Sequence, residues 1–480
     1  MSGFGEYDNF DALGLAALVS SGQVKAEELL DEAITRCERV NGVLNAIVHR
    51  HDEEARRDLE RLPPGAPFAG VPFLLKNLGI ALRDTVTSCG SRAFANDIAD
   101  HNSTLVTRYR SAGLIMFGKT NTPELGLMPV TEPTLHGPTR NPWDLGRTPG
   151  GSSGGAAAAV AAGIVPMAHA SDGGGSIRIP AACTGLVGFK PSRGRMPSGP
   201  NQGEGWAGLS VHHALTRSVR DSAALLDACA GPEPGDPYAA PAQRGSFQQA
   251  LAHAPRRLRI ALGTHKWGYG DYTSAQREQL HATAAVLTEL GHEVEEAMPA
   301  FDFEQLAHAM YSVMAVQTAS ELQRRADTLG CAPEELPLEE HTRRLFSAGS
   351  AISATRYADA IHCQQLAGRA LGAFHLDYDV ILAPTLCSDT PPELGALQQL
   401  DGDTYAQRLA DFIGDTAVFN QTGQPSLSLP VTWAPDGRPA GMMFSAAYGE
   451  DALLLRLARQ LELARPWWSK RPPVHAGLQQ

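Results

Sequence analysis

Two glycine-rich turns, each containing a serine, constrain the fold of this 480-residue chain more than any other feature. The turns comprise residues 150–155 and 172–176, and Ser152 lies 24 residues before Ser176. Between them, an alanine-rich segment predicts a helix of about nine residues, and residues 164–168 predict a strand of about five. These elements span roughly 14 Å and roughly 16 Å, so the second turn can return beside the first. Such turns indicate backbone N–H groups directed at an anion.

Apolar segments, helical patterns and glycine turns alternate along the rest of the chain, which indicates an α/β fold with helices against a central sheet. Residues 303–373 are mostly helical in pattern and are a candidate cap over a site. The Pro- and Gly-rich segment 230–256 is a candidate linker between a core and an additional layer. The other predicted strands are 71–75, 114–117, 186–189, 258–262, 292–295, 379–385, 426–430 and 441–444. The other predicted helices lie within 11–62 and at 104–112, 275–290 and 451–463.

Composition argues against several classes of protein. The net charge is −12 and there is no basic run, which disfavours a nucleic-acid-binding surface. The sequence has no apolar run long enough to cross a bilayer, and its acidic N-terminus lacks the apolar region of a signal peptide. Seven scattered cysteines without a Cys-x-x-Cys pair are typical of reduced thiols in a cytosolic protein. We therefore expect a cytoplasmic protein with no membrane or nucleic-acid partner.

The two serines allow different interpretations. Residues 150–154 match the G-x-S-x-G elbow of α/β-hydrolases, but that motif must follow a strand and residues 144–149 make a poor one. This disfavours an ordinary Ser-His-Asp hydrolase, and Ser152 could simply cap a helix. Ser176 follows a predicted strand and three glycines, a turn that can present consecutive N–H groups as an oxyanion hole. The same kind of turn is also common in ordinary loops.

A serine nucleophile needs a base, and the sequence leaves the choice open. None of the 16 histidines lies in a recognisable motif, and His169 is expected to be packed within its strand. A lysine can act as a base where burial lowers its pKa. Lys76, Lys119 and Lys190 each end an apolar strand, and spacing alone does not choose among them. Each could instead be a surface charge at a strand end.

Longer segments carry a specific resemblance. Residues 146–155, continued by 171–180, resemble the signature of the amidase signature family. Further segments similar to that family follow in the family's order over almost the whole chain: 118–121, 137–144, 185–191, 378–385 and 419–425.

The resemblance implies an architecture as well as a family. It implies an α/β amidase-signature fold in which a central mixed, twisted β-sheet is covered by helices on both faces. A single domain would span residues 1–480, with a signature core at about 65–230 and the helical cap at about 303–373.

The resemblance also implies a Ser–Ser–Lys triad. By position, Ser176 would be the nucleophile, Ser152 the bridging serine held by a cis peptide, and Lys76 the base. Lys76 is selected because residues 74–77 resemble the segment that holds the family lysine. Asn77 stands where the family usually has Asp, and we expect it to alter hydrogen bonding around the site without abolishing catalysis.

Other residues would support this triad, and the resemblance implies no metal or cofactor. They are the oxyanion-hole donors, which are the backbone N–H groups of Gly173, Gly174, Gly175 and Ser176, and the supporting residues Ser153, Asp172 and Arg178.

The expected substrate is a small-molecule amide. Residues 120–124 and 130–133 look like those of stand-alone bacterial amidases that act on nylon-type oligomers, aryl amides or carbamates. We therefore expect a bulky, mostly apolar amide, anilide or carbamate to be cleaved through an acyl-enzyme by a monomer or homodimer. Met128 and Trp206 are candidate pocket residues, although both residue types are more often found in a core.

Two alternatives belong to other functional classes. An amidotransferase subunit acting on misacylated tRNA usually carries a Met-Asp-Glu-Phe-type segment where this chain has residues 122–128, and the acidic charge offers no tRNA surface. A non-catalytic binding protein with an amidase fold is the other alternative, although all three triad positions are filled.

Overall fold

A computed structural model describes residues 4–268, 271–398 and 402–478 and shows a mixed α/β fold with two sheets. The strands are β1 (Ile47–Arg50), β2 (Pro72–Lys76), β3 (Ile115–Thr120), β4 (Met167–Asp172), β5 (Val187–Lys190), β6 (Val211–Thr216), β7 (Arg259–Leu262), β8 (Glu293–Glu296), β9 (Val380–Pro384), β10 (Ser426–Trp433) and β11 (Pro439–Ala446).

Helices surround these strands and account for most of the remaining regular structure. They are α1 (Ala12–Ser20), α2 (Ala26–Leu44), α3 (Asp52–Leu59), α4 (Thr104–Ser111), α5 (Gly154–Ala161), α6 (Arg178–Thr184), α7 (Val219–Cys229), α8 (Phe247–Ala250), α9 (Ser274–Glu289), α10 (Phe303–Leu329), α11 (Glu340–Ala351), α12 (Ala354–Phe374), α13 (Gly402–Phe412), α14 (Thr416–Thr422) and α15 (Asp451–Ala464).

The larger sheet has eight strands in the order β4-β6-β5-β10-β11-β9-β7-β8. The first six strands in this order, β4-β6-β5-β10-β11-β9, are antiparallel to their neighbours. Strand β7 is parallel to both of its neighbours, β9 and β8. The predicted mixed α/β fold is therefore confirmed, as are the predicted strand 258–262, helix 275–290 and strand 292–295, which form a β-α-β unit of β7, α9 and β8. Within the described ranges, no helix is both long and apolar enough to cross a membrane.

The strands that carry Lys76 and Lys119 do not join the larger sheet. They are β2 and β3, which form a separate sheet with β1 in the order β1-β3-β2. The prediction of one central sheet missed this division because β1 is a short strand, Ile47–Arg50, with two polar residues and no apolar alternation. Strand β2 nevertheless lies against β4, so the Lys76 strand adjoins the strand that leads into the second glycine turn.

The strand predicted at 164–168 actually begins at Met167. Helix α5 ends in a Schellman arrangement, because Gly163 has a φ of 73° and the Ile164 N–H bonds to the Ala159 carbonyl at 3.0 Å. Residues 164 and 165 are apolar because they are buried in this helix-terminating turn. The strand consequently runs up to Asp172, at the start of the glycine turn.

The alanine- and glycine-rich helix α5 is buried along its whole length. A Cβ atom on Gly155 would lie 2.6 Å from the Ala46 carbonyl oxygen and against the backbone of Asn121. Small residues are therefore required here because backbone from other elements approaches the first turn closely.

This packing predicts that Gly155→Ala lowers the free energy of unfolding by about 2 kcal/mol, because a methyl group would overlap backbone atoms that cannot rotate away. The matched control is Gly42→Ala in α2, where a Cβ atom meets nothing within 4 Å. That change should raise the free energy of unfolding by up to about 1 kcal/mol, since alanine favours helix. Urea unfolding of both variants checks the prediction, and equal effects would contradict it.

Candidate active site

Lys76 ends β2 with its side chain completely buried. Its Nζ lies 2.6 Å from Ser152 Oγ and 3.1 Å from Ser171 Oγ. Burial lowers the pKa of the Lys76 ammonium to about 7, although the negative charge of Asp172 acts in the opposite direction. A substantial fraction of this amine is therefore neutral near pH 7 and can accept a proton from Ser152.

Ser152 lies at the start of the first turn, and its peptide bond with Gly151 is cis. Thr131 holds the backbone on both sides of this peptide. Its hydroxyl donates to the Gly150 carbonyl at 2.9 Å and accepts from the Gly154 N–H at 3.1 Å. The predicted supporting residue Ser153 donates to the Ser171 carbonyl at 3.2 Å and so joins the first turn to β4.

The other two candidate lysines are also buried, so the interpretation of strand-end surface charges is wrong for all three. Burial lowers the pKa of Lys119 and of Lys190 to about 7 as well. Lys119 donates to Thr87 Oγ1 at 2.5 Å, and Lys190 donates to the carbonyl of Pro191 at 3.0 Å. Of the three lysines, Lys76 is the one that contacts a serine of the first turn.

Ser176 lies in the second turn, between β4 and α6, and is half-buried. Its hydroxyl makes no hydrogen bond to another residue in the described part of the chain, and so it is not bonded to Ser152. The hydroxyl is therefore available to a substrate or to a neighbouring serine.

A buried ion pair between Asp172 and Arg178 braces the second turn. Arg178 donates to both carboxylate oxygens of Asp172, each at 2.9 Å, and both side chains are completely buried. Burial by itself would raise the pKa of Asp172, but the charge and hydrogen bonds of Arg178 hold it well below its usual range. Asp172 is therefore a carboxylate at all ordinary pH values.

The same carboxylate also uses one of the predicted oxyanion-hole donors. The N–H of Gly175 donates to Asp172 Oδ1 at 2.7 Å. Within the described chain, the N–H groups of Gly173, Gly174 and Ser176 have no acceptor. The set of free donors at this turn therefore differs from the predicted set by Gly175.

Two large side chains lie directly against the glycine turn. The Trp206 ring lies 3.0 Å from the position that a Cβ atom on Gly173 would occupy. Met310 Cε, from α10, lies 3.3 Å from the equivalent position on Gly174. The prediction of helices at 303–373 is confirmed by α10, α11 and α12, and Met310 is a contact that the sequence pattern did not single out.

Met128 lies one layer further from the turn than Trp206. It packs in an apolar cluster with Ile179, and Tyr405 Oη lies 3.3 Å from its sulfur. Ile179 in turn lies against Gly175. Met128 is therefore linked to the second turn through Ile179.

Asn77 and His169 both have roles in positioning the backbone. The Asn77 side chain exchanges hydrogen bonds with Ser88 at 2.6 and 3.0 Å and does not contact the Lys76 amine. His169 is buried, as expected, and its Nδ1 accepts the backbone N–H of Lys76 at 3.2 Å. His169 Nδ1 is thus committed to holding the strand and is not free to act as a base.

Sequence reasoning missed three polar residues around the turns: Ser171, Thr416 and Asn420. Ser171 contacts Lys76, Thr416 donates to the Gly174 carbonyl, and Asn420 donates to Asp172. Asn420 lies in segment 419–425, which resembles the family, so that resemblance was the available signal. Among the residues described, no group of three or more His, Cys, Asp or Glu side chains is arranged to hold a metal.

Comparisons with known proteins identify the relatives of this chain. The family model described as Amidase matches residues 28–455. A 6-aminohexanoate-cyclic-dimer hydrolase of Paenarthrobacter ureafaciens is 38% identical over 97% of this chain and 96% of its own. An acylamidase of Rhodococcus erythropolis is 34% identical over 96% of each chain.

Solved structures show the same relationship. The structure of a 6-aminohexanoate cyclic dimer hydrolase complexed with substrate has a TM-score of 0.89 and 35% identity, covering 97% of this chain and 99% of that one. A bacterial aryl acylamidase has a TM-score of 0.86 and 29% identity, covering 95% and 96%. The chain therefore belongs to the amidase family and is a hydrolase of amide C–N bonds.

Proposed function

We propose that this hydrolase uses a Ser–Ser–Lys triad in which Ser176 is the nucleophile, Ser152 the proton bridge and Lys76 the base. The observation that carries the proposal is the 2.6 Å contact between Lys76 Nζ, which is buried and has a pKa of about 7, and Ser152 Oγ. Lys119 donates to Thr87 and Lys190 to the Pro191 carbonyl, so neither contacts a serine of the two glycine turns.

The proposed reaction begins with two proton transfers. Neutral Lys76 takes the proton of Ser152, which takes that of Ser176 as the Ser176 oxygen bonds to the amide carbon. The free N–H groups of Gly173, Gly174 and Ser176 supply donors for the oxyanion that forms.

Collapse of the tetrahedral intermediate then breaks the C–N bond. The proton returns from Lys76 through Ser152 to the leaving nitrogen, which departs as a neutral amine and leaves the acyl-enzyme. Water attacks the ester carbon, and the same groups accept its proton and return one to Ser176. The products are a carboxylic acid and an amine.

We propose a bulky, mostly apolar amide as the substrate, such as a nylon-type oligomer, an anilide or a carbamate. Trp206 and Met310 supply apolar surfaces beside the proposed oxyanion donors. The names of the relatives support the same classes, since they describe hydrolysis of a cyclic aminohexanoate dimer and of aryl or acyl amides. The seven cysteines form no disulfide in the structure, which supports the proposed cytoplasmic location.

Ser176→Ala should reduce kcat by a factor of about 10³ or more, because no acyl-enzyme can form. A serine-directed fluorophosphonate, which loses fluoride as phosphorus bonds to the serine oxygen, should label the parent protein and not this variant. Ser350→Ala, an exposed serine in α11, is the control and should keep both activity and labelling. Near-normal turnover by Ser176→Ala would show that the nucleophile is wrongly assigned.

The rate should rise with pH through about 7, because the proposed base must be neutral and deprotonation of Lys76 has this pKa. A profile of kcat/KM from pH 5 to 9 measures this rise, and kcat/KM should become independent of pH above about pH 8. Lys76→Met should lower kcat by about 10² to 10⁴. The matched control is Lys119→Met, which removes another buried lysine with a pKa of about 7. In this variant kcat/KM should still rise with pH through about 7. A profile already flat from pH 5 in the parent protein would refute the role of Lys76.

Trp206→Ala should affect bulky substrates selectively, because it removes the ring against Gly173 while leaving the triad intact. We expect kcat/KM to fall by roughly 10-fold or more for a cyclic aminohexanoate dimer or an anilide. It should change by less than about threefold for a small aliphatic amide. A hydrolysis panel of these substrates, with linear oligomers and carbamates, measures the difference, and a uniform loss would count against Trp206 as a pocket wall.

A further inference from the structure

Three peptide groups of the second glycine turn, those that follow Asp172, Gly174 and Gly175, are each held through their carbonyl oxygen. In a trans peptide group the C=O and the following N–H point in opposite directions, so fixing one also aims the other. The Asp172 carbonyl accepts from Asn420 Nδ2 at 2.8 Å, which directs the Gly173 N–H away from Asn420. One free donor is thus aimed by a residue of α14.

A second carbonyl of the turn is held by α6. The Gly175 carbonyl accepts from the Ile179 N–H at 2.7 Å, which directs the Ser176 N–H away from that helix. The N–H of the proposed nucleophile is therefore aimed by the first turn of α6.

The peptide between Gly174 and Gly175 is held at both ends. The Gly174 carbonyl accepts from Thr416 Oγ1 at 2.7 Å, and the Gly175 N–H donates to Asp172 Oδ1 at 2.7 Å. A peptide between two glycines can rotate at little steric cost because neither residue has a Cβ atom. Rotation by half a turn would exchange the directions of the C=O and the N–H and would break both bonds.

We propose that Thr416 is a positioning residue for the oxyanion hole, holding the Gly174–Gly175 peptide in the orientation that fixes the neighbouring free N–H of Gly174. This inference rests on the proposed function of Ser176. Without the Thr416 hydroxyl, the Gly174 carbonyl loses its donor and the peptide is held only through the Gly175 N–H. The free N–H of Gly174, which adjoins this peptide, is then aimed less precisely at the negative charge that develops in the transition state.

Helix α14 makes Thr416 a rigid anchor. Thr416 is completely buried, and Asn420, one turn later on the helix, accepts from Arg178 at 2.6 Å. At the far end of the helix, Arg193 donates to the carbonyls of Asn420 and Gln421 at 2.7 and 2.8 Å. The hydroxyl of Thr416 is therefore fixed relative to the ion pair that braces the turn.

Thr416→Val tests this inference, because it removes the hydroxyl and keeps the shape of the side chain. We expect kcat to fall by roughly 10- to 100-fold with KM changed by less than about twofold. A trifluoromethyl ketone, which forms a tetrahedral adduct with a serine nucleophile, should bind more weakly by a similar factor. Thr416→Ser restores the donor and should return kcat to within about threefold of the parent value.

The matched control is Thr422→Val, on the same helix, where the hydroxyl bonds only to the Val418 carbonyl. It should leave kcat and affinity for the ketone unchanged. If Ser176→Ala is inactive but Thr416→Val keeps parental kcat and ketone affinity, the Thr416 inference alone is overturned. If Ser176→Ala is active, the proposed function itself fails. A uniform loss of folded protein in Thr416→Val, not rescued by Thr416→Ser, would also overturn the positioning role.

Discussion

The site depends on the buried ion pair between Asp172 and Arg178. Taking two charges out of water is costly, and the cost is offset here by two hydrogen bonds of 2.9 Å and by further donors from the turn. Removing one partner of such a pair typically costs about 3–5 kcal/mol, because the other charge is left buried alone. The three glycines of the second turn, which have no side chains, therefore take their conformation from the carboxylate of Asp172 before them and the guanidinium of Arg178 after them.

The ion pair also influences the pKa of Lys76, the proposed base. The charge of Asp172 favours the protonated form of Lys76, whereas burial disfavours it more strongly, and the pKa falls to about 7. Because Arg178 satisfies both oxygens of Asp172, this carboxylate is not free to form a direct ion pair with Lys76. The nearest partners of Lys76 Nζ are instead two hydroxyls, from Ser152 and Ser171. A hydroxyl can donate to a neutral amine and can accept from a charged one, so these partners suit both forms of Lys76.

Sequence patterns predicted the α/β class, the β7-α9-β8 unit and the convergence of the two turns, because those features follow from local periodicity and chain length. They did not predict that β2 and β3 form their own sheet, since the pairing partner β1 is too short to show a period. The interpretation of the three lysines as exposed charges was also wrong. Lys76, Lys119 and Lys190 end strands, and whether a strand end is buried depends on elements distant in sequence. Thr416 was missed because its partner, the Gly174 carbonyl, is 242 positions earlier in the chain.

The run of three glycines has a second physical cause besides the supply of N–H groups. A Cβ atom on Gly173 would meet the Trp206 ring, one on Gly174 would meet Met310, and one on Gly175 would overlap Thr416. Gly175 also has a φ of 132°, which side chains disfavour. A different element therefore lies against the turn at each glycine: the loop that holds Trp206 at Gly173, helix α10 at Gly174 and helix α14 at Gly175. Because these elements are far apart in sequence, the walls of the site can change independently of one another. A side chain at Gly175 would overlap Thr416 and Ile179 and would disturb the Gly174–Gly175 peptide, which Thr416 and the Asp172 carboxylate both hold.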